Sequence, residues 1–329
     1  MSLVLEVEDL TVEFRLPEGI LRAPDGISFS VGEREVLGIV GESGSGKSVT
    51  ALSLMGLIPS PPGKVKAAKM EFMGQNLLKE AEEIRGKKIS MVFQNPLNSL
   101  NPSMKIGAQL VEVLVNHMNM KKPEAKEKSI EIMKNLGIPS PENLMNRYPF
   151  EYSGGMRQRI MIAMAMLCNP KLLIADEPTT ALDVTIQSQI LYLFRELKEE
   201  FETSLIFITH DLGVIAQIAD RVMVMYAGKQ VENASVEDIF RNPKHPYTFG
   251  LLDSVPKLIP EKRKERLLSI KGNVPGLLEP PTGCRFHPRC SKAMKICSEK
   301  EPPAFSVGSS TVWCWLYGRE VANNETIGN

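Results

Sequence analysis

The chain has 329 residues, with 39 Lys and Arg against 39 Asp and Glu, so its formal net charge is zero. That length suggests about two domains and a sizeable core, and 43% hydrophobic with 24% charged residues excludes collagen-like and wholly disordered chains. The balanced charge gives no global pull toward nucleic acid or anionic lipid, and the best apolar run, Ile160 to Cys168, is about half the ~18 residues a membrane span needs.

The N-terminal MSLVLEVEDL carries Glu6, Glu8 and Asp9 and lacks the basic start and apolar stretch of a signal peptide. A cytosolic protein is expected, one that sits on a membrane if it serves one. Residues 3–14 alternate well enough for a strand, and 35–40 (EVLGIV) form a short apolar run that feeds a turn at Gly41. Lys47 to Leu57 reads as a helix, broken by Pro59, Pro61, Pro62 and Gly63; 89–93 (ISMVF) reads as a strand. From Asn95 the texture changes, with NPLNSLNP followed by helical patterns at 106–118 and 123–136, as expected of a helical subdomain inserted into an α/β core. Helix-like stretches at 156–168 and 184–201 alternate with β-rich runs at 172–176, 204–210 and 222–226, a pattern that implies a mostly parallel sheet. After about residue 240 Pro and Lys/Arg become frequent, and this C-terminal stretch is expected to be an appendage rather than a continuation of the sheet.

Gly41-Glu42-Ser43-Gly44-Ser45-Gly46-Lys47-Ser48 fits G-x-x-x-x-G-K-[ST], between a predicted strand and a predicted helix, the context this phosphate-binding motif requires. Its glycines let the backbone curl so that N–H groups point at phosphate oxygens. Lys47 then reaches the β- and γ-phosphates, Ser48 ligates Mg²⁺, and the helix N-terminus adds a favourable dipole. The apolar run 172–175 delivers Asp176 and Glu177 at its end. Asp176 is expected to hold Mg²⁺ as the Walker B acid, and Glu177 to accept a proton from, or orient, the attacking water. Ser153 is a plausible N-cap for a helix opened by Gly154 and Gly155, whose N–H groups suit a second anion.

SGGMRQR between a Walker A and a Walker B motif resembles the signature of ATP-binding cassette (ABC) ATPases. Gln94 after the ISMVF strand resembles the Q-loop, Ala181-Leu182-Asp183 the D-loop, and His210 after SLIFIT the switch histidine; all occur in the family's order across residues 3 to about 240. The resemblance implies a P-loop NTPase core in which two ATPase domains sandwich two ATPs. Ser153, Gly154 and Gly155 would then serve ATP held by the partner, with Asp183 beside them. His210 would orient the γ-phosphate and the water, and Gln94 would sense Mg²⁺ and report to a membrane subunit. The adenine-stacking position is resembled by Phe14, although the long loop that follows leaves residues near Leu21 or Arg22 as the alternative. On this reading residues 1–94 are nucleotide-binding core, 95–152 the helical subdomain, 153–240 the rest of the core and 241–329 a C-terminal extension.

Asn242-Pro243-Lys244-His245-Pro246-Tyr247-Thr248 followed by LLDSVP resembles the extension of oligopeptide and dipeptide importer ATPases. Val49, where many relatives carry Thr, resembles the first of the two paralogous ATPases of such importers. The resemblance thus implies a peripheral protein of the cytoplasmic membrane face. Its partners would be a paralogous ATPase, two permeases and, indirectly, an extracytoplasmic peptide-binding protein; nucleic acid is not expected. Relatives that move nickel or sugars stand as alternatives to peptide importers, and the expected paralogue implies a weak homodimer at best. A soluble ABC ATPase acting on ribosomes or DNA fits less well, since there is one Walker A motif and no sustained heptad repeat between the Walker motifs.

Cys284, Cys290, Cys297 and Cys314 crowd the C-terminal stretch, and in a reducing cytosol such a cluster is expected to bind metal. Their gaps match neither zinc ribbons nor bacterial ferredoxins, so spacing leaves a Cys₄ zinc site, a [4Fe–4S] cluster or reduced thiols open, with His287 as a possible substitute ligand. The resemblance points to an iron–sulfur cluster. The basic tract Lys257 to Lys271 reads as a solvated linker rather than a lipid or nucleic-acid surface.

Overall fold

The computed structural model describes residues 2–95, 99–180, 182–254 and 270–318; the basic tract read as a linker lies almost wholly outside them, as does Ala181. The described strands form two sheets. In the first, the long β1 (Leu3–Leu16) pairs antiparallel with β2 (Gly19–Arg22), β3 (Ile27–Gly32), β5 (Gly63–Lys66) and β6 (Lys69–Phe72), and β7 (Gln75–Asn76) adds to β6. The second contains β4 (Val36–Val40), β8 (Ile89–Val92), β9 (Leu172–Asp176), β10 (Ser204–Thr209), β11 (Arg221–Tyr226), β12 (Lys229–Ser235), β13 (Phe305–Val307) and β14 (Ser310–Val312). Its order is β13-β14-β12-β11-β4-β10-β9-β8, with β11, β4, β10, β9 and β8 parallel.

The apolar runs of the parallel strands have a simple cause: both faces of this sheet are covered. In β4, Leu37 and Ile39 face the core shared with the antiparallel sheet, whereas Val36 and Val40 face the helices. The same alternation sends Ile206 and Ile208 of β10 one way and Leu205 and Phe207 the other. Helices Ile106–Met118 and Lys122–Asn135 contribute Leu110, Leu114, Ile132 and Met133 to the helical-side core, together with the helix Gly154–Met166. No helix of the described residues is long and apolar enough to cross a membrane.

The C-terminal stretch departs from expectation. β14 pairs antiparallel with β12 (Glu232 opposite Val312, Asn233 opposite Thr311), and β13 pairs with β14, so this stretch does continue the sheet by two short strands. Pattern alone did not show it because each strand has only three residues. Their pairing depends on an edge offered by β12, about 75 residues earlier.

Candidate nucleotide site

β4, buried along its whole length, ends where the loop Gly41–Ser48 begins, and the loop runs into the helix Lys47–Leu54. Position 41 admits no side chain: a Cβ there would lie 2.1 Å from the Met225 carbonyl oxygen of the neighbouring β11. Lys47 is 5% exposed, and its Nζ donates to the carbonyls of Gly41 (2.8 Å) and Glu42 (3.1 Å), so the ammonium lies folded across the loop. Burial lowers its pKa, opposed by the carboxylates of Glu177, Asp176 and Glu42. Ser45 Oγ is buried without a hydrogen-bond partner. A phosphoryl oxygen is the acceptor this hydroxyl lacks, which fits the loop to a nucleotide.

β9 brings Asp176 to the same place. Ser48 Oγ donates to Asp176 Oδ1 at 3.1 Å, so two of the groups expected to hold Mg²⁺ already stand together. Burial raises the Asp176 pKa, with the Ser48 hydrogen bond opposing. Glu177 follows with φ 46°, a conformation that a non-glycine residue adopts only at a cost and that clusters at functional sites. Its N–H donates to the Ile208 carbonyl of β10 (2.9 Å), which holds the strained turn. The Glu177 carboxylate accepts from Gln94 Nε2 (3.0 Å) and from Thr180 Oγ1 (2.9 Å), and His210 Nδ1 lies 3.3 Å from its other oxygen. Gln94, Glu177 and His210, from the ends of three different strands, therefore meet at one carboxylate. Thr180 is a further member that the sequence reading missed; its spacing of three from Glu177 was the available signal.

A cavity of about 340 Å³ runs beside the loop, lined by residues 43–49 (Val49 included) together with Leu21, Ala23, Gln94, Glu177 and Leu277. Leu21, the cross-strand neighbour of Phe14, stands in this wall, while Phe14 packs against the core. Leu277 comes from the C-terminal stretch, and no sequence pattern marked it.

The signature residues have their own surroundings. Ser153 caps its helix, accepting from Met156 N–H (3.3 Å), and Asp183 caps Val184–Glu200, accepting from Ile186 N–H (2.9 Å). The two caps are joined through Ile186, since a Cβ on Gly155 would come within 2.7 Å of its side chain. Glycine at 155 is thus a packing requirement, whereas a Cβ on Gly154 would meet open space.

The C-terminal motif closes around this end of the sheet. His245, 1% exposed, caps the helix Pro246–Asp253 by accepting from Tyr247 N–H at 3.0 Å. The fully buried Glu232 of β12 accepts from the N–H groups of Lys244 (2.7 Å) and His245 (2.9 Å). Burial alone drives the His245 pKa down to about 3, so it is a neutral acceptor, and burial raises that of Glu232. Tyr247, Tyr226 and Phe286 form a cluster with ring centroids 4.7 to 5.4 Å apart, joining three segments distant in sequence.

The four cysteines gather beyond this cluster. Cys284 N–H donates to the Cys297 carbonyl at 2.8 Å, and Cys284, Cys290 and Cys297 all lie near Cys314. Burial pushes the Cys284 thiol up to about 11 and Cys314 up to about 12. Among the described residues no three His, Cys, Asp or Glu side chains are arranged to hold a metal ion, so the expected ligand set is not formed here. His287 Nδ1 is instead engaged with the Cys284 carbonyl (2.9 Å).

Comparison with known proteins gives two family matches: the ABC transporter family over residues 24–180 and the oligopeptide/dipeptide transporter C-terminal region over 231–297. The oligopeptide transport ATP-binding protein OppD of Bacillus subtilis is 52% identical over 318 residues, 95% of this chain and 88% of that protein. OppD of Escherichia coli is 52% identical over 303 residues, covering 91% and 89%. The dipeptide transport ATP-binding protein DppD of B. subtilis is 48% identical over 321 residues, covering 96% and 95%. Among solved structures, a dimeric post-hydrolysis ATP-binding cassette, MJ0796 bound to ADP and phosphate, aligns with TM-score 0.62 and 25% identity over 70% of this chain and 98% of that one. A P-loop opposite an acidic strand end, with glutamine and histidine converging on its glutamate, defines an ATP-hydrolysing cassette, and this chain belongs to the ABC transporter family. Within that family it stands with the ATP-binding proteins of oligopeptide and dipeptide transporters.

Proposed function

We propose that this chain hydrolyses ATP to drive uptake of oligopeptides or dipeptides, as a peripheral subunit on the cytoplasmic membrane face. The carrying observation is the convergence of Gln94, His210 and Thr180 on the Glu177 carboxylate beside the Lys47 loop. The names of relatives about 50% identical over nearly the whole chain support the peptide substrate.

In this reading the loop N–H groups, Ser45 Oγ and Lys47 bind the phosphates. Ser48, Asp176 and Gln94 would hold Mg²⁺, which would supply neutralisation of the negative charge on the phosphates. Glu177 takes the proton of the attacking water, with Thr180 and Gln94 fixing its carboxylate and His210 orienting the γ-phosphate. Leu21 and Leu277 offer the base an apolar wall in place of Phe14. Ser153, Gly154, Gly155 and Asp183 act on ATP held by a second ATPase, a paralogue of this chain. Gln94 senses Mg²⁺ and reports to two permeases served by a peptide-binding protein.

The test is Glu177→Gln in the assembled transporter. Hydrolysis is expected to fall by about 10²–10⁴-fold with MgATP binding retained; undiminished hydrolysis removes Glu177 from the role.

The four cysteines enter as a finer part of the proposal: a thiolate-ligated metal, by preference a [4Fe–4S] cluster, that staples the C-terminal stretch. The gathering of Cys284, Cys290, Cys297 and Cys314, with Cys284 and Cys297 joined by a backbone hydrogen bond, supports it, and closing them into a ligand set would require the side chains to turn toward one point. Iron and sulfide in equal amounts in anaerobically purified protein are expected. Stoichiometric zinc would make it a Cys₄ structural site, and absence of all three would leave reduced thiols.

A further inference from the structure

The groups that meet ATP chemically precede residue 211, yet two side chains from beyond residue 240 grip the phosphate loop at one residue, Glu42. Tyr247 Oη accepts the Glu42 backbone N–H at 2.9 Å. Arg289 takes the Glu42 carboxylate with both ends of its guanidinium, Nη1 to Oε2 at 2.7 Å and Nη2 to Oε1 at 3.2 Å. A bidentate pair fixes orientation as well as distance, which a lysine cannot do.

Arg289 is itself held firmly. Its side chain is 6% exposed; it donates to the carbonyls of Lys271 (3.1 Å) and Ile270 (3.3 Å) and to Tyr226 Oη (3.3 Å). The phosphate-binding chemistry itself gives Glu42 no task. A carboxylate in a loop that must receive a polyanion opposes binding unless it is neutralised and held in place. Arg289 supplies both conditions. It also ends the short turn His287–Arg289 between Cys284 and Cys290, so the placement of the cysteine-bearing stretch is transmitted to the loop by one side chain.

We propose that Arg289 is a positioning residue for ATP binding, which by pairing with Glu42 makes the C-terminal stretch part of the nucleotide site. Nucleotide affinity then depends on how that stretch is seated, while the chemical step does not. The proposal rests on residues 41–48 being the ATP site.

The experiment is a double-mutant cycle in the full chain, read by equilibrium binding of MgATP, with KM and kcat measured in the assembled ATPase. Arg289→Met is expected to weaken MgATP binding by about ten- to a hundredfold, raising KM with kcat largely kept. Glu42→Gln is expected to cost less, because the cation it leaves, Arg289, keeps its hydrogen bonds to the carbonyls of Lys271 and Ile270 and attracts rather than repels a polyanion. In the Glu42→Gln background Arg289→Met is expected to add little, since both changes remove one interaction. Should Arg289→Met alone fail to fold, the charge-balanced double variant still decides, by binding as Glu42→Gln does or more weakly. Unchanged affinity in Arg289→Met, fully additive losses, or a fall in kcat at constant KM would overturn the proposal. If the wild-type chain and its Lys47→Ala variant bind MgATP equally poorly, the ATP-site reading fails instead.

Discussion

The phosphate loop and the C-terminal stretch reach the same end of the central sheet by opposite routes. The loop is local: eight consecutive residues between one buried strand and one helix set a cradle whose shape depends on neighbours in sequence and on the nearby Met225 carbonyl. The C-terminal stretch is non-local. Its seat is assembled from Glu232, His245, Tyr247, Phe286 and Arg289, and its two strands join the sheet only through the pairing of β14 with β12. A local site concentrates chemistry in a few atoms; a distributed one spreads stability over many contacts. Changes in the first should alter rate, and changes in the second stability and affinity.

The largest effect tests the local side. Glu177→Gln is expected to abolish turnover while thermal stability and metal content remain those of wild type; a large fall in melting temperature would show that the two regions are less separable than their contacts indicate. Next, Glu232→Ala removes a buried acceptor shared by two backbone N–H groups. About 2–4 kcal/mol of stability is expected to go, with faster hydrogen exchange in Pro246–Asp253 and little change in β9.

A pH experiment probes the same seat. His245 has a folded pKa of about 3, depressed by burial, against about 6.5 unfolded. Its contribution is therefore complete above pH 6.5 and is lost progressively as pH falls from there toward 3. Glu232, raised by burial, has the opposite sign. The informative quantity is thus wild type minus His245→Asn, in which Glu232 is unchanged and an N-cap acceptor is kept. That difference is expected to shrink on acidification; a constant difference by thermal unfolding would mean that His245 takes up its proton in the fold. The smallest effect is expected at Lys134, whose ion pair with Glu142 is half exposed on both sides. Lys134→Ala should leave stability nearly unchanged, and a clear loss by denaturant titration would overturn its reading as a surface pair.

The same contrast governs what could be read in advance. Strands β4, β8, β9 and β10 and the helices around them announce themselves because double-sided burial forces unbroken apolar runs and helical periodicity is sustained. β3, β5, β6 and β7 did not, since they are short, half polar and ordered mainly by pairing with or beside β1. In the site, Lys47, Asp176 and Glu177 sit in motifs whose spacing carries the chemistry. Thr180 lies three residues beyond Glu177, close enough to infer but outside any motif. Leu277 and Arg289 reach the loop across more than 200 residues, and no periodicity encodes such a meeting. Phe14 and Leu21, the two alternatives for the adenine, are cross-strand neighbours that alternation alone does not separate: Phe14 packs on the core, and Leu21 stands in the cavity wall.

The pairing of β14 with β12 also sets an order of events during synthesis. At about 5–20 residues per second, Val312 leaves the ribosome about 4–15 s after Ser235. Through that interval the outer edge of β12 presents unpaired backbone groups, a template for strands of other chains. The hairpin of two three-residue strands that finally occupies it leaves only β13 at that margin, so this edge of the sheet offers little further template.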